Sequence, residues 1–141
     1  MIRVVVADDD ETFRSVLVDT LRADGRFEVV AECADGASAV ARAGELHPDL
    51  VVLDVRMPGG GPAAAQGIRD AVDVRSRVVA LSAQAGSSQV LAMLRSGATG
   101  YLAKGNMGAD LTDLLARAAR GEVVVAAPGA DRFLAPLWGR A

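Results

Sequence analysis

The sequence has little of several features that define whole classes of protein. Among its 141 residues there is one cysteine, Cys33, so an internal disulfide bond is excluded and a reducing compartment is expected. Cys33 itself is predicted to be a small buried apolar residue. No apolar run approaches the roughly 18 residues of a membrane-spanning helix, and a basic segment followed by an apolar one, as in a signal peptide, is missing. We therefore expect a cytoplasmic protein with no membrane partner.

Positive charge is also scarce. The chain has 15 Lys and Arg against 18 Asp and Glu, a formal net charge of −3, whereas a nucleic-acid-binding domain carries the opposite imbalance. No nucleic-acid partner is predicted for this domain. Apolar residues, in contrast, are plentiful at 51%. Because the length corresponds to one domain, they are sufficient for a core.

Short apolar segments alternate with amphipathic ones along the chain. Strands are predicted at residues 2–7, 27–33, 49–54, 77–82 and 99–103, with a helix after each. This alternation predicts an α/β fold with a doubly wound, five-stranded parallel sheet. The first and third strands are almost continuously apolar, which is typical of central strands, while the second carries charges, as edge strands do. The predicted strand order is therefore 2-1-3-4-5.

Acidic residues stand at the ends of the two predicted central strands. Asp8, Asp9 and Asp10 follow the first strand, and Asp54 ends the third. The carboxyl ends of adjacent parallel strands meet at the edge where open α/β sheets bind ligands. Carboxylates that converge there repel one another unless a cation compensates them, and a divalent cation that prefers oxygen is the expected one. Asp10 is predicted to cap the first helix rather than to bind the cation.

The acids are part of a longer ordered set of motifs. After them come Asp54-Val55-Arg56-Met57-Pro58-Gly59, then Leu81-Ser82-Ala83, then Gly97-Ala98-Thr99-Gly100-Tyr101-Leu102-Ala103-Lys104. In this order, the set resembles the receiver domain of bacterial two-component response regulators over residues 1 to about 121. The resemblance implies a flavodoxin-like receiver fold. It also implies a phospho-accepting signalling domain that assists its own phosphotransfer and dephosphorylation but is not otherwise an enzyme.

The resemblance assigns the metal and the phosphoryl acceptor to particular residues. Asp54 resembles the aspartate that attacks phosphorus as a carboxylate nucleophile. Asp8 and Asp9 resemble the acids that hold Mg²⁺ (or Mn²⁺), with Asp9 the more direct ligand. Asp54 and the backbone carbonyl of Arg56 complete this implied metal site.

The remaining implied roles concern the phosphoryl group and its readout. Lys104 resembles the lysine that neutralises a phosphoryl oxygen. Ser82 resembles the residue whose hydroxyl donates a hydrogen bond to another phosphoryl oxygen. Tyr101 resembles a switch residue whose ring moves inward when Ser82 turns toward the phosphoryl group. The alternative for Tyr101 is an ordinary aromatic residue of an edge strand.

The resemblance also implies partners. The phosphoryl donor would be a sensor histidine kinase or a phosphotransfer protein. The face formed by the fourth helix, fifth strand and fifth helix would control output or dimerisation, with an output domain in a longer parent chain. Residues 122–141 are predicted to be an exit segment and linker, or a C-terminal tail docked on the domain.

Three features of the sequence depart from the receiver-domain motifs or lie outside them. The loop after Asp54 reads Met57-Pro58-Gly59-Gly60-Gly61-Pro62, so the usual polar turn residue and its glycine are missing, and three glycines predict a permissive backbone. Arg56 is bulky and basic beside the predicted pocket, and we expect it to modulate phosphoryl lifetime. His47 precedes Pro48 and is predicted to be an exposed turn residue.

Three other functions compete with a phospho-accepting switch. A receiver-like interaction module that is never phosphorylated would have the same fold. A phosphatase of the haloacid dehalogenase type needs a second acid two residues after its nucleophile, where this chain has Arg56. A flavodoxin-like cofactor binder needs a Ser/Thr/Gly loop after the first strand, where this chain has three aspartates.

Overall fold

Strands and helices alternate regularly in the computed structural model of the chain, which describes residues 1–71, 76–83, 87–104 and 110–126. The strands are β1 (Ile2–Ala7), β2 (Phe27–Cys33), β3 (Leu50–Asp54), β4 (Arg77–Ser82), β5 (Gly100–Ala103) and β6 (Val124–Ala126). The helices are α1 (Glu11–Ala23), α2 (Gly36–Leu46), α3 (Gly61–Ala71), α4 (Ser87–Arg95) and α5 (Leu111–Ala119).

The strands form one parallel sheet in the order β2-β1-β3-β4-β5-β6. The predicted order 2-1-3-4-5 is confirmed. In the register of the sheet, Ala7 pairs with Leu53 and Asp54 with Leu81. The first residue after β1 and the last residue of β3 therefore lie side by side at the carboxyl edge of the sheet.

The sheet buries both of its faces, as a doubly wound fold requires. Alternate residues of each central strand point to opposite sides, so Val5 and Val51 join one apolar cluster while Val4 and Val52 join the other. The first cluster includes the apolar faces of α2, α3 and α4, and the second those of α1 and α5. Within the described residues, no helix combines the length and apolar character needed to span a membrane.

The sixth strand was not predicted. Residues 124–126, expected to belong to an exit segment, pair with Gly100–Leu102 of β5, and Val124 is buried in the α1/α5 cluster. The segment is rich in valine, a residue that fits a half-buried strand, and without it β5 would leave its backbone groups unpaired at the edge. The core is thus five-stranded with a short added strand. The predicted tail residues 127–141 lie outside the described part of the chain.

Candidate functional site: an acidic pocket at the carboxyl edge of the sheet

The turn between β1 and α1 brings two predicted acids into the pocket and uses the third to start the helix. The side chain of Asp10 accepts a hydrogen bond from the Phe13 backbone N–H at 3.1 Å, which confirms its predicted capping role. Asp8 is almost completely buried and accepts from the Asp10 N–H at 2.9 Å. Asp9 remains exposed to solvent at the mouth of the pocket.

Asp54 meets these acids from β3. It is 4% exposed, and one carboxylate oxygen from each of Asp8, Asp9 and Asp54 lies within 4.8 Å of the others. The backbone N–H of Arg56 donates to the Asp54 carboxylate, while the Arg56 residue as a whole is exposed. The three predicted acids are therefore brought together, as expected from the strand order.

The predicted lysine completes the pocket from the end of β5. The Lys104 Nζ lies 2.8 Å from Asp8 Oδ2 and 3.4 Å from Asp54 Oδ1. Ser82 is fully buried at the end of β4, and the sheet pairs it with Ala103, the residue before Lys104. All four of the strands β1, β3, β4 and β5 thus contribute a polar residue at one edge.

The charges in this pocket alter one another's ionisation. Burial raises the pKa of Asp54, the negative charge of Asp8 raises it further, and Lys104 only partly opposes them. Burial also acts to lower the pKa of Lys104, but its contacts with Asp8 and Asp54 outweigh burial, so the pKa is raised. Lys104 is therefore an ammonium ion at neutral pH. The pocket as a whole still holds three carboxylates against one ammonium group.

This arrangement fits a hard divalent cation. All three converging donors are carboxylate oxygens, the ligand type that Mg²⁺ and Mn²⁺ prefer. Asp8 Oδ2 is buried and, apart from its ion pair with Lys104, finds no hydrogen-bond partner among the described residues. A cation bound by Asp8, Asp9 and Asp54 would satisfy that oxygen and reduce the repulsion between the acids.

Other residues singled out in the sequence lie away from the pocket or inside the core. Tyr101 is fully buried, and since β6 covers β5, it is not the edge-strand aromatic of the alternative interpretation. Cys33 is buried, as predicted, and burial raises the pKa of its thiol. His47 is an exposed residue with a left-handed backbone (φ 48°) at the end of α2. Its carbonyl accepts from Arg3 in β1, far from the carboxyl edge.

The glycine-rich loop after Asp54 has a structural partner that the sequence did not indicate. The Gly36 N–H at the start of α2 donates to the Pro58 carbonyl at 2.8 Å, and a Cβ on Gly36 would lie 1.7 Å from the Gly59 carbonyl oxygen. Gly59 and Gly61 adopt positive φ angles of 67° and 70°, which confirms that the loop uses glycine's conformational freedom. Gly61 thereby supplies the left-handed conformation that Asp or Asn can also adopt.

Two further contacts to the pocket come from α1. The Arg14 side chain donates to the Asp8 carbonyl at 2.7 Å and pairs with Glu32 of β2 at 3.4 Å. The ring of Phe13 faces Lys104, with Nζ 4.2 Å from the ring centroid. The sequence gives no signal that Phe13 touches the lysine.

Comparisons with known proteins agree with this geometry. The family model for the response regulator receiver domain matches residues 4–116. The chain is 32% identical to the transcriptional regulatory protein LiaR of Bacillus subtilis over 97% of its own length and 65% of LiaR. It is 33% identical to the DNA-binding transcriptional activator DevR/DosR of Mycobacterium tuberculosis over its whole length and 65% of that protein.

Solved structures show the same relationship. A two-component response regulator of the LuxR family from Aurantimonas superposes with a TM-score of 0.87 at 28% identity, covering 99% of both chains. The chain belongs to the response regulator receiver domain family. It spans 65% of the length of LiaR and of DevR/DosR.

Proposed function

We propose that the chain is a phospho-accepting switch in which Asp54 receives a phosphoryl group in a Mg²⁺-dependent reaction. The observation that carries this proposal is the position of Lys104, whose ammonium group bridges the buried Asp8 and Asp54 carboxylates. A structural ion pair needs one acid. A lysine between two buried acids, beside an exposed third, is an arrangement suited to receiving additional negative charge.

The reaction requires an Asp54 carboxylate oxygen to attack phosphorus. In transfer from a phosphohistidine, the new O–P bond forms as the P–N bond breaks, and the leaving imidazole takes up a proton. Lys104 and the Ser82 hydroxyl then contact phosphoryl oxygens, because transfer of this group depends mainly on positioning and electrostatics. Mg²⁺ would be held by Asp8, Asp9 and Asp54, with the Arg56 carbonyl as a further ligand, and would supply additional positive charge.

The output would follow from how the pocket responds. A phosphoryl group adds roughly −1.5 to −2 charge to Asp54, and Lys104 and Ser82 answer it by changing their contacts. The ring of Tyr101, already fully buried here, would be held inward in the phosphorylated state. The difference in contacts between the two states shifts the α4-β5-α5 face toward the conformation that binds a partner or dimerises.

The partners and boundaries remain part of this proposal. We expect the donor to be a sensor histidine kinase or phosphotransfer protein in the cytoplasm. Residues 1–121 would form the receiver domain and 122–141 its exit segment or tail, within which residues 124–126 pair with β5 as a sixth strand. Because DevR/DosR is a DNA-binding activator and this chain spans 65% of its length, a DNA-binding output domain in a longer parent chain fits best. The receiver assists its own phosphorylation and dephosphorylation and is otherwise not an enzyme.

Intact-mass measurement with acetyl phosphate tests the proposal. We expect one phosphoryl group per chain with Mg²⁺, and none in the Asp54→Asn variant or in excess chelator. The exposed acid Asp19 offers a matched control, since Asp19→Asn removes a carboxylate of α1 outside the pocket. The absence of any mass gain in the unmodified chain with acetyl phosphate or with a phosphorylated histidine phosphotransfer protein would favour the interaction module instead.

A further inference from the structure

The ammonium group of Lys104 contacts two acids of the pocket and also an aromatic ring. Nζ lies 2.8 Å from Asp8 Oδ2 and 3.4 Å from Asp54 Oδ1. The centroid of the Phe13 ring is 4.2 Å from the same nitrogen. The lysine side chain is only 16% exposed, so little water competes for the ammonium group. A cation this close to a ring face is attracted by the negative face of the π-system, and more strongly when it is desolvated.

The ring itself is held in place by the turn that builds the pocket. The carboxylate of Asp10 accepts the Phe13 N–H at 3.1 Å, and Asp8 accepts the Asp10 N–H at 2.9 Å. The next residue, Arg14, donates to the Asp8 carbonyl at 2.7 Å. Phe13 also packs against the α1/α5 apolar cluster. Hydrogen bonds between side chains and backbone groups on both sides of Phe13 thus hold the ring close to Asp8.

We infer that Phe13 is a positioning residue, whose ring holds the Lys104 ammonium group where it reaches both Asp8 and Asp54. A lysine has a flexible four-carbon side chain and an ammonium group that strongly prefers water. Two carboxylates attract this group, and the ring adds a third contact. With all three contacts made, the ammonium group is already in place when a phosphoryl group arrives. The kinetic consequence rests on the proposed function, whereas the placement of the lysine does not.

The placement can be measured without any phosphorylation, because Lys104 is the only lysine in the sequence. Labelling with ¹³C-lysine therefore yields NMR signals from this one residue. In the unmodified protein, we expect the Lys104 Hε protons to be shifted upfield by the ring current of Phe13. The shift should disappear in Phe13→Leu and persist in Phe13→Tyr, which keeps the ring face. Unshifted Hε signals in the unmodified protein would overturn the inference.

The effect on phosphoryl transfer is tested by a double-mutant cycle. With acetyl phosphate and saturating Mg²⁺, we expect Phe13→Leu to lower the phosphorylation rate constant by roughly 3- to 10-fold, the size of a partly desolvated cation–π contact. Phe13→Tyr should keep the rate constant within about twofold of that of the unmodified protein. In a Lys104→Met background, Phe13→Leu should have no further effect, because the group that it positions is gone.

Phe27 provides the matched control. It belongs to the same apolar cluster and its ring faces a different cation, Arg26, at 5.8 Å, but it lies at the opposite end of the sheet. We expect Phe27→Leu to reduce stability while leaving the phosphorylation rate unchanged. Two results would overturn the positioning role. One is that Phe13→Leu and Phe27→Leu lower the phosphorylation rate constant equally. The other is that Phe13→Leu lowers it as much in the Lys104→Met background as in the unmodified protein. If the unmodified protein accepts no phosphoryl group, the proposed function fails, and the lysine signals alone decide the inference.

Discussion

At the scale of single residues, the pocket depends on where its few charges are placed. Lys104 lies within ion-pair distance of both Asp8 and Asp54, and its raised pKa keeps it charged. Asp54 has a raised pKa because it is buried beside a second acid. Its carboxylate is thus held in an unfavourable environment that added positive charge relieves.

A second carboxylate shows the opposite case, in which the fold favours the charged form. Asp35 begins α2, and its side chain accepts the Ser38 backbone N–H at 2.7 Å. This hydrogen bond, together with one from the Ser38 side chain, lowers the pKa of Asp35. A lowered folded-state pKa means that the charged form contributes stability above the unfolded-state pKa of about 4, and that this contribution is lost as pH falls through the folded value.

We therefore predict a pH-dependent difference between Asp35→Asn and the unmodified protein. Asn keeps the capping geometry but lacks the charge, so the variant should be less stable at pH 7. The difference in free energy of unfolding should shrink as the pH is lowered below about 4. Urea unfolding at pH 7 and at stepwise lower pH measures it. Asp35→Ala, which loses the cap at every pH, is the comparison. If Asp35→Asn and the unmodified protein differed in free energy of unfolding by the same amount at every pH in this range, the prediction would be contradicted.

At the scale of elements, the loop after Asp54 is coupled to the start of α2. The backbone of Gly36 lies against Gly59, and its N–H donates to the Pro58 carbonyl. This close approach of two backbones leaves no room for a side chain. The position of the loop beside Asp54, the proposed phosphoryl acceptor, therefore depends on a residue 18 positions earlier in the sequence.

Gly36→Ala tests this coupling. Because the new Cβ would lie 1.7 Å from the Gly59 oxygen, the loop or the start of α2 must move, and we expect a loss of about 1–3 kcal/mol in the free energy of unfolding. Gly25→Ala is the matched control, since a Cβ there meets nothing within 4 Å. It should change stability by less than about 0.5 kcal/mol. Denaturant unfolding compares the two variants, and equal losses would argue against the coupling.

At the scale of the whole molecule, β6 extends the sheet beyond the predicted boundary at residue 121. The Val124 N–H donates to the Thr99 carbonyl at 3.1 Å, and Val124 is 5% exposed within the α1/α5 cluster. The strand pairs along the outer edge of β5, the strand that carries Tyr101 and leads to Lys104. The chain after α5 is therefore part of the structure that supports one wall of the pocket.

We predict that a chain ending at residue 121 is less stable than one ending at 126. It loses the burial of one valine and the ladder to β5, a difference of about 2–4 kcal/mol in the free energy of unfolding. Urea denaturation of the two chains gives this difference. Val124→Ala in the longer chain should fall between them, because it keeps the strand but loses apolar contact. If the chains ending at 121 and at 126 had identical unfolding midpoints, the domain boundary predicted at residue 121 would be correct.

Much of this molecule could be predicted from local patterns. The alternation of apolar and amphipathic segments predicted the five core strands and their helices, and the charges of Phe27–Cys33 placed that strand at the edge, as the structure confirms. The strand order alone predicts that Asp8 and Asp54 lie close together, and the structure brings them together. The capping role of Asp10 followed from its residue type and place. These features depend on near neighbours and on the rules of parallel sheets.

The fold class, the strand order of the core and the residues at its carboxyl edge all follow from local features of the chain, because hydrophobic periodicity and strand-end position depend on near neighbours. Three contacts follow only from the folded arrangement: Phe13 against Lys104, Gly36 against Gly59, and β6 against β5. Each joins segments far apart in the chain. These contacts depend on how the helices pack on the sheet and on which edge of the sheet is free to add a strand. No local sequence pattern encodes that geometry.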